Sequence, residues 1–435
     1  MPKDAIGYAL GALNNIARSD ILDRLHLRTT AENLSYHLTR SGFRAISTSG
    51  RAFRSANPLK KPQRLRAPGQ TTDYFDLNIT DEQRMIRESV RDFATEVLRE
   101  EAETADAEQR TSDSVLAQAA ELGLNLFAVP EALNGAATER SPVTSMLVAE
   151  DLAYGDMGQA LAILAPMSVA NALTHWGSAH QQSTYLDAFA GDNPPRATIA
   201  LGEPRPLFDP MELATTARRE GDQYILKGEK SLVPLAEEAE LFLVAASTAE
   251  GPGVFIIEKG TPRLHVDGES PMGLRAGAPR TLRLDGVAVP AANRLGDQDF
   301  DYRAFVDLGT LAWCAMAIGT SQAVMDYAVP YSNERKAFGE PISYRQSVAF
   351  MIADMAIELD AMRMLTYRAV ARAEQGRSFQ REAHLARTLV KDKAMTIGTN
   401  GVQLLGGHGY THEYPMERWY RDLRAIGVAF GGLHL

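Results

Sequence analysis

From Thr80 onward the apolar positions of this chain fall into three successive rhythms. Ile86, Val90, Phe93 and Val97 recur at steps of four, three and four, which predicts a helix with one apolar stripe. Thr80-Asp-Glu-Gln83 reads as the capping box that opens it. The runs from Ser114 to Leu122, Thr144 to Tyr154 and Gln182 to Phe189 have the same spacing and are separated by Gly and Pro stops. After Pro194-Pro195 the texture changes. Thr215 to Leu226, Leu241 to Ala246, Val254 to Glu258 and Leu282 to Val289 are short and strand-like, with turn signals at Glu220-Gly-Asp222 and Asp285-Gly286. From Phe305 on, long Ala- and Met-rich stretches with helical spacing resume, broken at Pro341 and Gly376. The pattern predicts an α+β chain in four parts: a basic N-terminal extension over 1–75, a helical domain over 76–194, a small β domain over 195–298 and a helical domain over 299–435.

The extension stands apart by charge. Its first 72 residues hold twelve Lys/Arg against four Asp/Glu, a balance of +8 within a chain whose net charge is -10. The stretch from Ser35 to Lys61 has the Arg, Ser and Thr of a transit peptide, but Asp4, Asp20, Asp23 and Glu32 are unwelcome in one. Ile21, Leu22, Leu25 and Leu27, beside Leu34, Tyr36 and Leu38, predict short amphipathic helices that need a surface to cover, so a docking arm is the preferred reading and membrane-surface attachment the lesser one. The acidic total argues against general nucleic-acid affinity. No apolar run approaches the roughly 20 residues that cross a bilayer. The single cysteine, Cys314, sits in the apolar run Leu311-Ala-Trp-Cys-Ala-Met-Ala317 and predicts a buried, inert thiol rather than a disulfide or thiolate metal cluster.

Two ordered motifs lie in the last helical region: Glu334-Arg-Lys-Ala-Phe-Gly339, and Gln403-Leu-Leu-Gly-Gly-His-Gly-Tyr410 running through Glu413, Tyr414, Pro415 and Glu417 to Arg421-Asp422. Together with the helix, strand, helix order, the chain from about residue 76 to 432 resembles the acyl-CoA dehydrogenases, and within them it is similar to an actinobacterial, fatty-acid- or sterol-degrading branch. The resemblance implies an N-terminal helical domain, a small middle β domain and a C-terminal four-helix bundle. It implies FAD as cofactor, an acyl-CoA substrate, electron-transfer flavoprotein as acceptor, a cytoplasmic setting, and a hetero- or homo-oligomer built as a dimer of dimers. FAD in that family crosses a subunit interface, one subunit surrounding the isoalloxazine and its neighbour holding the ADP half.

The resemblance carries the ADP half well. Arg335 would pair with pyrophosphate, Phe338 would offer a ring face to the adenine or its surroundings, Gln346 and Gln403 would supply amide contacts, and Gly406 and Gly407 would let the backbone come close to the cofactor. It carries the flavin half poorly. Gly202-Glu203-Pro204 has lost the usual threonine hydroxyl, Arg205-Pro-Leu-Phe-Asp209 replaces an acidic-glycine loop, and Leu232-Val233-Pro234 stands where a Trp-Ile/Val-Thr would stack on the ring and hydrogen-bond N5. Desaturation of a thioester needs a base for the α-proton while hydride leaves the β-carbon. Here Phe430 stands at the glutamate, followed by Gly431, and the alternative position of that base in some relatives is Gly309, beside Thr310, so no catalytic residue is identified. Four readings follow: one subunit of a heteromer that borrows its base, a self-sufficient enzyme with another carboxylate such as Glu203 recruited, a flavin monooxygenase on the same fold, and a catalytically silent scaffold. His408 and His412, with Glu413, have a metal-ligand look but no third ligand, so no metal is expected. Gly398 to Gly409 follows no strand and is no dinucleotide fingerprint. Met351, Met355, Met362 and Met364 predict core packing.

Overall fold

The computed structural model describes residues 78–137, 140–191, 193–296 and 300–435. The chain divides into two units, Met1–Asp73 and Tyr74–Leu435. The basic arm expected over residues 1–75 lies outside the described residues.

Helix α1 (Asp81–Phe93) opens on the anticipated capping box: Gln83 N–H donates to the Thr80 hydroxyl at 3.1 Å, and Thr80 N–H donates to the Gln83 side chain at 3.0 Å. A single π turn, Ala94–Leu98, joins it to α2 (Arg99–Glu108). Helices α3 (Asp113–Glu121), α4 (Pro142–Gly155), α5 (Met157–Trp176) and α6 (Ala179–Phe189) complete the first helical part. Helix α5 has no amphipathic rhythm because it is buried nearly all round, so there is no polar face for periodicity to report.

The β part is one seven-stranded sheet: β1 (Ala197–Ala200), β2 (Thr216–Glu220), β3 (Gln223–Val233), β4 (Leu241–Thr248), β5 (Gly251–Glu258), β6 (Leu264–Gly268) and β7 (Arg280–Pro290). Its path is β1-β4-β2-β3-β7-β6, with β5 on β4. The β2–β3 hairpin closes through Gly221-Asp222 with Glu220 opposite Gln223, as the turn signal predicts. Asp285-Gly286 does not end a strand. It is a bulge inside β7, where pairing steps from Leu226↔Val287 to Lys227↔Asp285 and Gly286 takes φ +86°.

The last part is built on α7 (Tyr302–Glu334), 33 residues long, which touches α4, α8 (Gln346–Glu374), α9 (Gln380–Leu405) and α10 (Met416–Ala425). Two expectations meet the structure here. Helices α5 and α7 are long and apolar enough to cross a bilayer by length and composition, but 89% and 94% of their apolar windows are buried inside the fold, so both are core helices. The methionines of α8 also divide. Met355 and Met362 are in the core, Met351 lies at its edge, and Met364 is 41% exposed. Cys314 is buried, and burial pushes its thiol up to about 12.

Candidate functional site

The end of α7 carries the first group of motif residues. Arg335 caps the helix, and its side chain is exposed with no ion-pair partner among the described residues. Immediately beyond it, Phe338 and Gly339 make the tip of a two-residue hairpin between Lys336–Ala337 and Glu340–Pro341, with φ +57° and +85°. Positive φ is costly for a bulky residue, and this one is 96% exposed, so the turn holds an aromatic ring out into solvent. Ile342 N–H donates to Arg335 C=O at 2.9 Å, folding the chain back so that Gln346 starts α8 beside it. The Tyr331 hydroxyl bonds His408 Nδ1 at 2.8 Å, bringing the end of α9 and Gly406-Gly407 to the same end of the bundle. Gly406 has φ 59°, ψ −130°, a region closed to other residues, and a Cβ at Gly406 or Gly407 would meet nothing within 4 Å. Gln403 is exposed one turn earlier. His408 and His412 have different partners, Tyr331 and Glu417 (3.0 Å).

The second group converges elsewhere. Gly202, Leu232, Val233 and Pro234 line a cleft of about 1070 Å³ between the sheet and the C-terminal helices, together with Phe430 and Gly431. None of Arg335, Phe338, Gln346, Gln403, Gly406 or Gly407 lines it. Trp313 lines the cleft from the other part of α7. From Trp313 to Arg335 is 22 residues of α7 and its cap, about 33 Å at 1.5 Å per residue.

Phe430 is firmly held in this wall. The indole of Trp313 donates to Gly431 C=O at 2.6 Å, Asn171 donates to His434 C=O at 3.3 Å, and Trp176 donates to His434 Nε2 at 3.0 Å. The same segment explains Gly309. A Cβ there would stand 2.4 Å from Leu433 O and 2.9 Å from Gly431 Cα, so no side chain, and no carboxylate, fits at that position.

Glu203 lines the cleft but is fully engaged, which corrects the expectation that it could be recruited as base. Its oxygens accept from Ala214 N–H and Thr215 N–H, both at 2.8 Å, and from the buried Lys230 ammonium at 2.9 Å, which also donates to Leu201 C=O at 3.1 Å. Burial pushes the Glu203 carboxyl up, but Lys230 and the two amides outweigh it and leave it below its ordinary value. Burial likewise pulls Lys230 down to about 8 against the pull of Glu203.

Two cleft residues escaped the sequence reading. Asp307 is buried on α7, one helical turn from Thr310, and pairs with Arg303 Nε at 3.1 Å; burial pushes its carboxyl up against that pairing. Arg387, on α9, is only 6% exposed, and its guanidinium carbon lies 3.8 Å from the centroid of the Phe430 ring. The available signal for both was a charged residue on an otherwise apolar helix face.

Arg421-Asp422 is a junction. Arg421 donates to Asp106 of α2 at 2.9 and 2.8 Å, to Glu417 at 2.7 Å and to Met272 C=O at 3.1 Å; Asp422 accepts from Leu274 N–H at 2.6 Å. All three parts of the fold meet there, so the charges of this dipeptide are spent on holding them together.

The two surfaces suit a flavin dinucleotide unequally. The bundle end has open glycine backbone, an unpaired guanidinium and an exposed ring, which fit an adenine nucleotide. At Leu232-Val233-Pro234 the Leu232 N–H already donates to Glu269 at 2.7 Å and Pro234 has none, so this strand end has few polar groups for a redox ring.

Three family models match the chain in order: Acyl-CoA dehydrogenase, N-terminal domain, over residues 80–192; middle domain, over 198–287; and C-terminal domain, over 303–432. The chain is 31% identical over 395 residues to the short-chain specific acyl-CoA dehydrogenase, mitochondrial, of Mus musculus, covering 87% of this chain and 94% of that one. Among solved structures it is similar to butyryl-CoA dehydrogenase from Megasphaera elsdenii (TM-score 0.74, 28% identity, 81% of this chain and 95% of that one). It is also similar to the FAD complex of PigA (TM-score 0.74, 25% identity, 81% and 95%).

Proposed function

This chain belongs to the acyl-CoA dehydrogenase family, and from that premise we propose that it works as one subunit of a heteromeric, FAD-dependent acyl-CoA dehydrogenase whose proton-abstracting base comes from a second subunit. The reaction is α,β-desaturation of an acyl-CoA thioester, with electron-transfer flavoprotein as acceptor, in a cytoplasmic setting and on an acyl group of the fatty or sterol type. FAD supplies the hydride acceptor. Arg335, Phe338, Gln346, Gln403, Gly406 and Gly407 would hold its ADP half, and the cleft at Leu232 to Pro234 would face the ring. The observation that carries the reading is the pairing of two facts: the bundle-end groups and the cleft are set apart, with about 33 Å of α7 between Trp313 and Arg335, so one cofactor meets groups of two chains, and the cleft of this chain holds Phe430 where the resemblance puts a base. An apolar stripe on α8 supports assembly: Phe350, Ile357 and Met364, seven residues apart, are 58%, 66% and 41% exposed. Phe430 in the cleft wall, with Glu203 neutralised by Lys230 and no room at Gly309, supports a borrowed base.

Expression alone and with candidate partner chains tests this. The expected result is little FAD and no dehydrogenation from the solitary chain, and both from a co-purified assembly with fewer flavins than subunits. Full FAD occupancy and activity in a homo-oligomer would overturn it. Within the assembly, Arg335→Ala is expected to weaken FAD binding by about 10- to 100-fold, the loss of a charge-assisted pyrophosphate contact, measured by flavin fluorescence on dilution.

A second reading keeps the base in this chain, and Asp307 is the group that favours it. Burial raises both Glu203 and Asp307, but of these two cleft acids only Asp307 ends above its ordinary value, because Arg303 offsets burial less than Lys230 and two amides do at Glu203. A base must be ionised, so activity from Asp307 would fall as pH drops through a value above the usual carboxylate range. Asp307→Asn would then lower turnover by about 100-fold or more and flatten that acid limb; a variant with unchanged pH profile excludes Asp307.

A further inference from the structure

Arg387 presents a charge without a counter-ion. All three guanidinium nitrogens lack a hydrogen-bond partner among the described residues, although the side chain is 94% buried by its 6% exposure. Two acids of the same cleft are already paired, as is the glutamate five positions earlier on its helix. Glu203 is held by Lys230, Asp307 by Arg303, and Glu382 on the same helix by Arg368, Arg372 and Arg381. The only described group that favours the charged form is the Cys314 thiol, which burial itself keeps protonated. A buried, unpaired cation of this kind costs several kcal/mol, and desolvation accordingly pulls the guanidinium down from its ordinary value.

We propose that Arg387 is an anion-recognition residue of the cleft, and that it pairs with a carboxylate carried by the acyl group of the substrate. The planar fork matches a carboxylate bidentately, and apolar side chains such as Leu201, Phe208, Trp313 and Phe430 share the cleft lining with it. Phe430 stacks on the guanidinium, 3.8 Å away, and both residues line the cleft, so a carboxylate entering beside the Phe430 ring reaches a cation whose nitrogens are buried and without a hydrogen-bond partner among the described residues. This rests on the acyl-CoA reading, in which the Phe430 position faces the reacting carbons. The carboxylate must then lie only a few carbons from the thioester, which makes the ligand a short dicarboxylic acid bound to CoA through one end.

The test is calorimetric binding to the purified assembly of succinyl-CoA and glutaryl-CoA against butyryl-CoA and valeryl-CoA, chains of equal length without the acid, with free glutarate as a further ligand. The expected result is at least tenfold tighter binding of the dicarboxylic thioesters, a preference removed in Arg387→Met and kept in part in Arg387→Lys. Free glutarate is expected to bind far more weakly than glutaryl-CoA. Without ligand, Arg387→Met is expected to raise the unfolding midpoint, since an uncompensated buried charge is gone, whereas a merely structural arginine would lower it. Equal binding of acidic and neutral thioesters overturns the carboxylate site and leaves the acyl-CoA reading standing, as does a preference that survives Arg387→Met. Failure of every thioester to bind overturns both, and glutarate binding as tightly as its thioester overturns the link to the acyl group.

Discussion

Phe430→Glu is expected to raise the rate at which the assembly exchanges the α-proton of a bound acyl-CoA with solvent deuterium by about 100-fold or more, the usual contribution of a positioned general base. The reasoning starts from space and charge. Phe430 lines the cleft on a segment fixed by Trp313, Asn171 and Trp176, so a shorter glutamate side chain enters a held position. Arg387 stands 3.8 Å from the ring that it replaces, so the new carboxylate is ionised at neutral pH, and unlike Glu203, which accepts from two amides and an ammonium, it meets one cation and keeps an oxygen for the proton. The same variant is expected to lose any preference for acidic thioesters, because the guanidinium is now occupied. Exchange is read by proton NMR of the recovered thioester. A folded variant that binds the thioester and exchanges no faster would mean that position 430 does not face the α-carbon, and the account of a lost base would fail with it.

Glu203→Ala is expected to destabilise the fold by about 3–5 kcal/mol, the cost of leaving a buried ion without its partner. Lys230 is fully buried and has two acceptors, Glu203 and Leu201 C=O; the amides of Ala214 and Thr215 also lose theirs. The double variant Glu203→Ala, Lys230→Met is expected to recover at least about 2 kcal/mol, because the stranded ammonium is gone while the amides remain unsatisfied. Urea unfolding measures both. Simple addition of the two single losses would show that the pair is not coupled. The Glu203 contribution also has a pH signature. Its folded value is below the ordinary 4.5, so the contribution is present above 4.5 and is lost as pH falls through the lowered value.

Much of the fold was legible because its cues are local. The capping box at Thr80, the hairpin at Gly221-Asp222 and the stripe on α1 each depend on residues within a turn or two, and each is where the pattern puts it. Helix α5 was invisible for the opposite reason: a helix buried on nearly every side has no polar face, so its rhythm vanishes. Asp285-Gly286 was misjudged because a bulge and a turn use the same residues and differ only in what lies across the sheet.

The same division runs through the site. Motifs along the chain carried the resemblance to the family, the expectation it implies for the set around Arg335 and Gly406, and phenylalanine rather than glutamate at 430. Only the tertiary structure decided that this set and the cleft lie on different surfaces, that Glu203 is spent on Lys230, that the Gly431–Leu433 backbone fills the space at Gly309, and that the Arg387 guanidinium has no hydrogen-bond partner among the described residues. The physical reason is that a residue's type and its neighbours in sequence set its propensity, whereas its charge state and reach depend on groups hundreds of positions away that share its low-dielectric surroundings.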